Sequence, residues 1–207
     1  MGAEMEIVQL TNRSTPEILG VTSCHHLDLN KRMMVARLEA YASLVVTDCT
    51  LYLDADMLVL KDFDLPGISA GEVGLTPRVE DLLMNWRYPI PFPEFKGKTI
   101  MEVMPFLYSF VYTSSELLFV RQLEALLKLP RRFQEWYGDQ VTLKSELETR
   151  DRWVSRMFDA ETYNKTIKAP HDFMQAVRTG GCIVHFKGPS AKLMMSAAVD
   201  WLRKQPV

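Results

Sequence analysis

Apolar and polar positions along this chain fall into short blocks that predict strands and helices in alternation. Ile7, Val8 and Leu10 predict a short strand over residues 6–10, broken by the polar run from Thr11 to Ser14 and by Pro16. Met33, Met34, Arg37, Leu38, Tyr41 and Leu44 recur at helical spacing and predict a helix over residues 31–46. Residues 49–53 read as a strand that runs into Asp54, and residues 57–60 resume extended structure. Glu72 to Leu75 predicts a strand closed by Pro77, and Phe106 to Thr113 predicts another. Ser114 or Ser115 then caps a helix through Lys128, with Leu117, Leu118, Leu123, Leu126 and Leu127 as its inner face and Pro130 as its stop. Asp139 opens a helix to about Thr149. Ile183 to Phe186 is a strand, and Ser190 starts a last helix through Trp201. Strands alternating with helices predict a single α/β layered domain over residues 1–207, without internal repeat or interdomain linker.

One segment resists this scheme. From Asn85 to Lys98, Pro89, Pro91 and Pro93 exclude a central strand or a helix, leaving a loop rich in aromatics and cations. Long structured loops are often functional, and an edge wrap packed by its own aromatics is the equal alternative.

Composition narrows the class. The chain has 207 residues, 47% of them hydrophobic, and a net charge of -2, so a general basic nucleic-acid surface is not expected. No apolar run is long enough to cross a bilayer. The opening residues from Met1 to Glu6 are acidic and lack a signal-peptide core. Cys24, Cys49 and Cys182 are odd in number and widely spaced, which predicts buried free thiols in a reducing, cytoplasmic compartment.

Four groups of residues could carry chemistry. In Tyr52-Leu53-Asp54-Ala55-Asp56, two carboxylates stand one residue apart at the end of an apolar strand, and at this spacing they meet at one point only if the chain bends there. A bend that leaves both in one cleft makes a site for a hard divalent cation and a phosphate-bearing substrate; the plain alternative is a polar strand end. In Cys182-Ile183-Val184-His185-Phe186-Lys187-Gly188, His185 is a third metal ligand or a half-buried strand-end histidine, and Lys187 or Lys192 would neutralise phosphate. In Gly138-Asp139-Gln140, Asp139 is a helix N-cap, or it joins Gln140 in facing a substrate hydroxyl. Arg37, on an otherwise apolar helix face, needs a partner: a carboxylate near the metal, a phosphate, or a structural ion pair, which is the safer reading.

The order Arg37-Leu38, Tyr52-Leu53-Asp54-Ala55-Asp56, Gly138-Asp139-Gln140, His185-Phe186-Lys187-Gly188 resembles that of the GT-A nucleotide-diphospho-sugar transferases. Within them it looks most like glycosyltransferase family 8, the glycogenin and lipopolysaccharide sugar-transferase type. The resemblance spans residues 31–192. It implies a GT-A domain with a mixed central sheet flanked by helices, in which Asp54, Asp56 and His185 bind Mn2+ or Mg2+. It further implies Asp139 and Gln140 near the donor sugar or acceptor, and Gly188 with Lys187 or Lys192 on the diphosphate of a nucleotide sugar, UDP-sugar favoured. The family's phosphate lysine falls six residues after the histidine, which here is Ala191; Lys192 is one further on. About fifty residues precede Asp54, fewer than in the family, so the base-binding unit is expected to be missing, rebuilt or supplied by another chain. The stretch from Tyr108 to Tyr112 lacks the family's middle-strand glycine, so the sugar site is expected to differ.

Two other classes compete with a glycosyltransferase acting on an acceptor hydroxyl. One is a truncated GT-A-like domain that binds without turnover. The other, ranked lower, is a haloacid-dehalogenase-like phosphatase, in which the first aspartate would be the nucleophile.

Overall fold

The structure is a computed structural model that describes residues 6–18, 20–27, 32–44, 49–84, 92–149 and 153–204. In chain order the elements are β1 (Val8–Thr11), β2 (Ser23–His26), α1 (Met33–Ser43), β3 (Thr50–Leu53), β4 (Met57–Val59), β5 (Glu72–Pro77), α2 (Ile100–Val103) and β6 (Phe106–Thr113). Then come α3 (Leu117–Lys128), α4 (Arg131–Glu135), α5 (Gly138–Glu148), β7 (Val154–Met157), α6 (Ala160–Tyr163), β8 (Lys165–Thr166), α7 (Pro170–Thr179), β9 (Ile183–His185) and α8 (Pro189–Leu202). A 3₁₀ turn covers Pro93–Phe95 inside the proline-rich segment, whose residues 85–91 lie outside the described residues, as do Met1 to Met5 of the acidic opening.

The chain forms two compact units, Met1–Val46 with Glu116–Glu146 and Thr47–Ser115 with Leu147–Val207. In the first, β1 and β2 pair in parallel, Val8 opposite Ser23. The helical period of α1 buries Met34, Val35, Leu38 and Tyr41, and the Tyr41 ring meets Phe119 of α3 edge-on at 5.0 Å. The serine cap expected for α3 is not used: its N-cap is Glu116, without a side-chain cap bond. Its buried face is Leu118, Phe119, Gln122 and Leu126, while Leu117 and Leu127 point to solvent. The leucine count placed Leu118 and Leu126 correctly, but Phe119 and Gln122 complete the buried face where Leu117 and Leu127 were expected to.

At the start of α5 a glycine is required. A Cβ on Gly138 would lie 2.2 Å from the Phe133 carbonyl oxygen, a backbone atom that cannot step aside. Asp139 therefore lies inside the first turn of α5, not at its N-cap.

The second unit holds two mixed sheets, with strand orders β3-β6-β5-β7 and β4-β9-β8. β6, buried along nearly its whole length, is antiparallel to both β3 and β5, and β7 is parallel to β5. β9 is central in the smaller sheet, antiparallel to β4 and parallel to β8. Its side chains alternate between two cores. Ile183 packs with Met57, Phe110, Tyr112 and Phe158, and Val184 and Phe186 pack with Ile167, Phe173 and Ala198 under α7 and α8. Of the three thiols, Cys182 alone is buried; Cys24 is half-buried and Cys49 exposed, so the expectation of three buried cysteines fails for those two. Among the described residues no helix is long and apolar enough to cross a membrane.

Candidate functional site

The corner between β3 and β4 is where the chain leaves one sheet and enters the other. Met57 N–H donates to the Asp54 carbonyl oxygen at 3.1 Å, closing a four-residue turn over Asp54-Ala55-Asp56-Met57. Asp54 N–H donates to Ser109 O of β6 at 3.3 Å, and Phe186 N–H donates to Asp56 O at 2.8 Å. The turn is thus pinned to β6 on one side and to the end of β9 on the other. In a continued strand the two carboxylates would share a face about 7 Å apart along the chain, and the turn at this point draws them to one corner.

Asp54, Asp56 and His185 each place a ligand-capable atom within 4.8 Å of the others. His185 is buried at the end of β9, opposite Met57, with its Nε2 3.2 Å from Asp56 Oδ1. Lys192, on the first turns of α8, puts Nζ 2.9 Å from Asp56 Oδ2. Partial burial pushes the Asp56 carboxyl up, but hydrogen bonds and charge from His185 and Lys192 together outweigh it and hold the group well below the usual carboxylate range. Asp56 is therefore ionised throughout the physiological range.

These residues fit a divalent cation. Two carboxylates and an imidazole form a donor set that could hold a divalent metal ion. Among the described residues the buried His185 Nδ1 has no hydrogen-bond partner, which leaves the ring less firmly satisfied than a purely structural histidine.

Gly188 is the N-cap of α8 and has φ +90°, a left-handed conformation that glycine adopts at no steric cost. It turns the chain from β9 into α8, bringing the helix N-terminus and Lys192 next to the carboxylate corner. Lys187 points elsewhere. It lines a cleft of about 470 Å³ with Arg78, Glu80, Asn164, Thr166 and Lys168. It keeps contact with solvent, yet desolvation by the cleft walls, then the charges of Arg78 and Lys168, bring its ammonium down to about 8 against the opposing pull of Glu80 and Asp54.

Arg37 and Asp139 meet each other in the first unit, Nη1 to Oδ2 at 2.8 Å, with the Asp139 side chain 2% exposed. The structural ion pair anticipated for Arg37 is present. Asp139 Oδ1 also accepts the Gln140 backbone N–H at 2.8 Å.

Sequence reasoning missed the polar network beneath the cleft. Asn164 Nδ2 donates to Thr76 Oγ1 at 2.7 Å and to Ser109 Oγ at 3.0 Å, all three residues being buried. Ser109 stands in the middle of β6. A buried serine amid Tyr108 and Phe110 was the available signal.

No protein-family model matches the sequence, and no curated protein matches it. Among solved structures, one that resembles it is the crystal structure of a glycosyltransferase involved in the glycosylation of the major capsid of PBCV-1. The superposition has a TM-score of 0.57 and covers 93% of this chain and 100% of that one at 12% sequence identity. The two share a fold. That fold is a mixed α/β arrangement of sheets flanked by helices, as expected from the alternation of strands and helices.

Proposed function

We propose that the chain is a metal-dependent glycosyltransferase of GT-A type, which moves a sugar from a nucleotide-diphosphate donor to an acceptor hydroxyl. The observation that carries this reading is the convergence of Asp54, Asp56 and His185 at one turn. The fold shared with a glycosyltransferase supports it. In the reaction the bond from the anomeric carbon to the diphosphate breaks, and the acceptor oxygen bonds to that carbon. The acceptor loses its hydroxyl proton, and the nucleoside diphosphate leaves with the bonding electron pair.

Asp54, Asp56 and His185 would hold the cation, which supplies charge stabilisation to the departing diphosphate. Lys192 answers the same charge. Its ammonium is half-exposed on Asp56 and can turn to a phosphate oxygen without leaving a buried charge behind. Gly188 lets the first turn of α8 approach the phosphates, and the helix N-terminus favours an anion there. Asp139 and Gln140 keep the sugar- or acceptor-directed role that the family resemblance implies, with Arg37 as the ion-pair partner that positions the Asp139 carboxylate.

A thermal-shift screen against UDP-, GDP-, ADP- and CDP-sugars, each with and without Mn2+, tests the reading. A ligand that binds only the native chain stabilises it by about 2.7 kcal/mol at one hundred times its Kd. The expected result is a rise in Tm with a nucleotide sugar, UDP-linked first, that requires Mn2+. Equal silence from every donor with the metal present contradicts it.

A further inference from the structure

The geometry points to a second binding site beside the metal corner: the cleft walled by Arg78 and Lys187 takes an acceptor sugar bearing an anionic substituent, a carboxylate or a phosphate. The inference rests on the glycosyl-transfer reading for the word acceptor, and on the cleft alone for the anion.

Position is the first argument. β9 lies between β4 and β8, with His185 opposite Met57 on one side and Thr166 on the other. Asp56 adjoins the β4 side, and Thr166 lines the cleft on the β8 side. Neighbouring strands are about 4.8 Å apart, so the cleft opens one strand away from the cation ligands. A group held there lies against the strand that pairs with the one carrying His185.

Charge is the second argument. Four cations line the cleft, Arg78, Lys165, Lys168 and Lys187, against three carboxylates, Glu80, Glu161 and Asp172. The carboxylates are committed. Glu80 pairs with Lys168, Glu161 pairs with Lys165, and Asp172 Oδ2 accepts the backbone N–H groups of Lys168 and Ala169 at 2.9 and 2.8 Å. Among the described residues no carboxylate pairs with Lys187. Arg78 is buried, and its Nε donates to the Met104 carbonyl oxygen at 2.9 Å, which fixes the plane of the guanidinium. A rigid guanidinium and an uncommitted ammonium on one cleft form an anion clamp. Leu82, Ile100 and Leu107 supply apolar wall against which the C–H face of a sugar ring can pack, and Asn164 supplies an amide. The cleft, at about 470 Å³, is of a size to hold such a ring.

The test is direct binding to the full chain by calorimetry, without metal or nucleotide sugar. The probes are methyl glucuronide, glucose 6-phosphate and the neutral methyl glucoside. One of the two acidic sugars is expected to bind at least about tenfold more tightly than the neutral one, the worth of a single charge-assisted hydrogen bond. Whichever acid binds names the substituent. Lys187→Gln, at a solvent-contacting position that should not disturb folding, is expected to remove that preference, and Lys96→Gln, an exposed lysine outside the cleft, to retain it. Equal binding of neutral and acidic sugars overturns the proposal, as does a preference that survives Lys187→Gln. Failure of the transferase reading shows separately, as absence of Mn2+-dependent nucleotide-sugar binding in a chain that still selects the acidic sugar.

Discussion

Asp56 and Asp139 are both carboxylates beside a cation, and their surroundings differ. Asp139 is closed off from solvent and meets the Arg37 guanidinium at 2.8 Å. The Gln140 backbone N–H adds a second bond to its other oxygen. Asp56 sits on an open turn with an imidazole 3.2 Å away on one oxygen and a half-exposed lysine 2.9 Å away on the other, and a second aspartate shares the corner. There His185 and Lys192 meet the charge, and this is the corner proposed to take a cation.

The comparison breaks most sharply at Asp56. Asp56→Asn should lower metal-dependent transfer by on the order of 10²–10³-fold, the scale of losing one group that stabilises transition-state charge, with a modest fall in Tm from the lost His185 and Lys192 contacts. A large loss of stability with Mn2+ affinity intact would make Asp56 structural too. On the other side, Arg37→Leu strands the Asp139 carboxylate in the interior and should cost about 3–5 kcal/mol in a denaturant melt while leaving Mn2+ affinity alone. Gly138→Ala, which drives a Cβ into the Phe133 carbonyl at the entry to the same helix, should cost about 1–3 kcal/mol by the same melt.

Asp172 offers a third, smaller case. Slight burial pushes its carboxyl up, but the backbone N–H groups of Lys168 and Ala169 outweigh that and lower it from 3.8. A depressed carboxyl stabilises the fold above its unfolded value and loses that contribution as pH falls through the folded one. Asp172→Ala should therefore cost about 1 kcal/mol at neutral pH, typical of a lost helix cap, with the gap to wild type closing below pH 3.8. A gap independent of pH would show that the carboxylate charge is not what matters there.

How much of this could be read from the chain depended on the range of the interaction. The run from Phe106 to Thr113 has the bounds of β6, since its apolar character is continuous and its ends are marked. The Asp54–Asp56 corner was legible as a condition: the two acids could meet at one point only if the chain bends there, and the turn is present. Helix α7 was missed although Pro170 at its first turn, Asp172 two residues on and Gly180 at its left-handed end all announce it. β2 and β7 were missed because Ser23–His26 has no apolar alternation and β7 is largely exposed. The Arg37–Asp139 pair joins residues 102 apart, and the Asn164 network spans 55 and 88, distances at which local pattern carries no information.

The most direct measurement is Mn2+ binding to the purified chain, followed by electron paramagnetic resonance of the free ion. One Mn2+ per wild-type chain is expected, lost in Asp56→Asn and in His185→Ala, and kept in Arg37→Leu. A folded wild-type chain that leaves all the Mn2+ free, or a His185→Ala variant that binds it as well as wild type, would contradict the account.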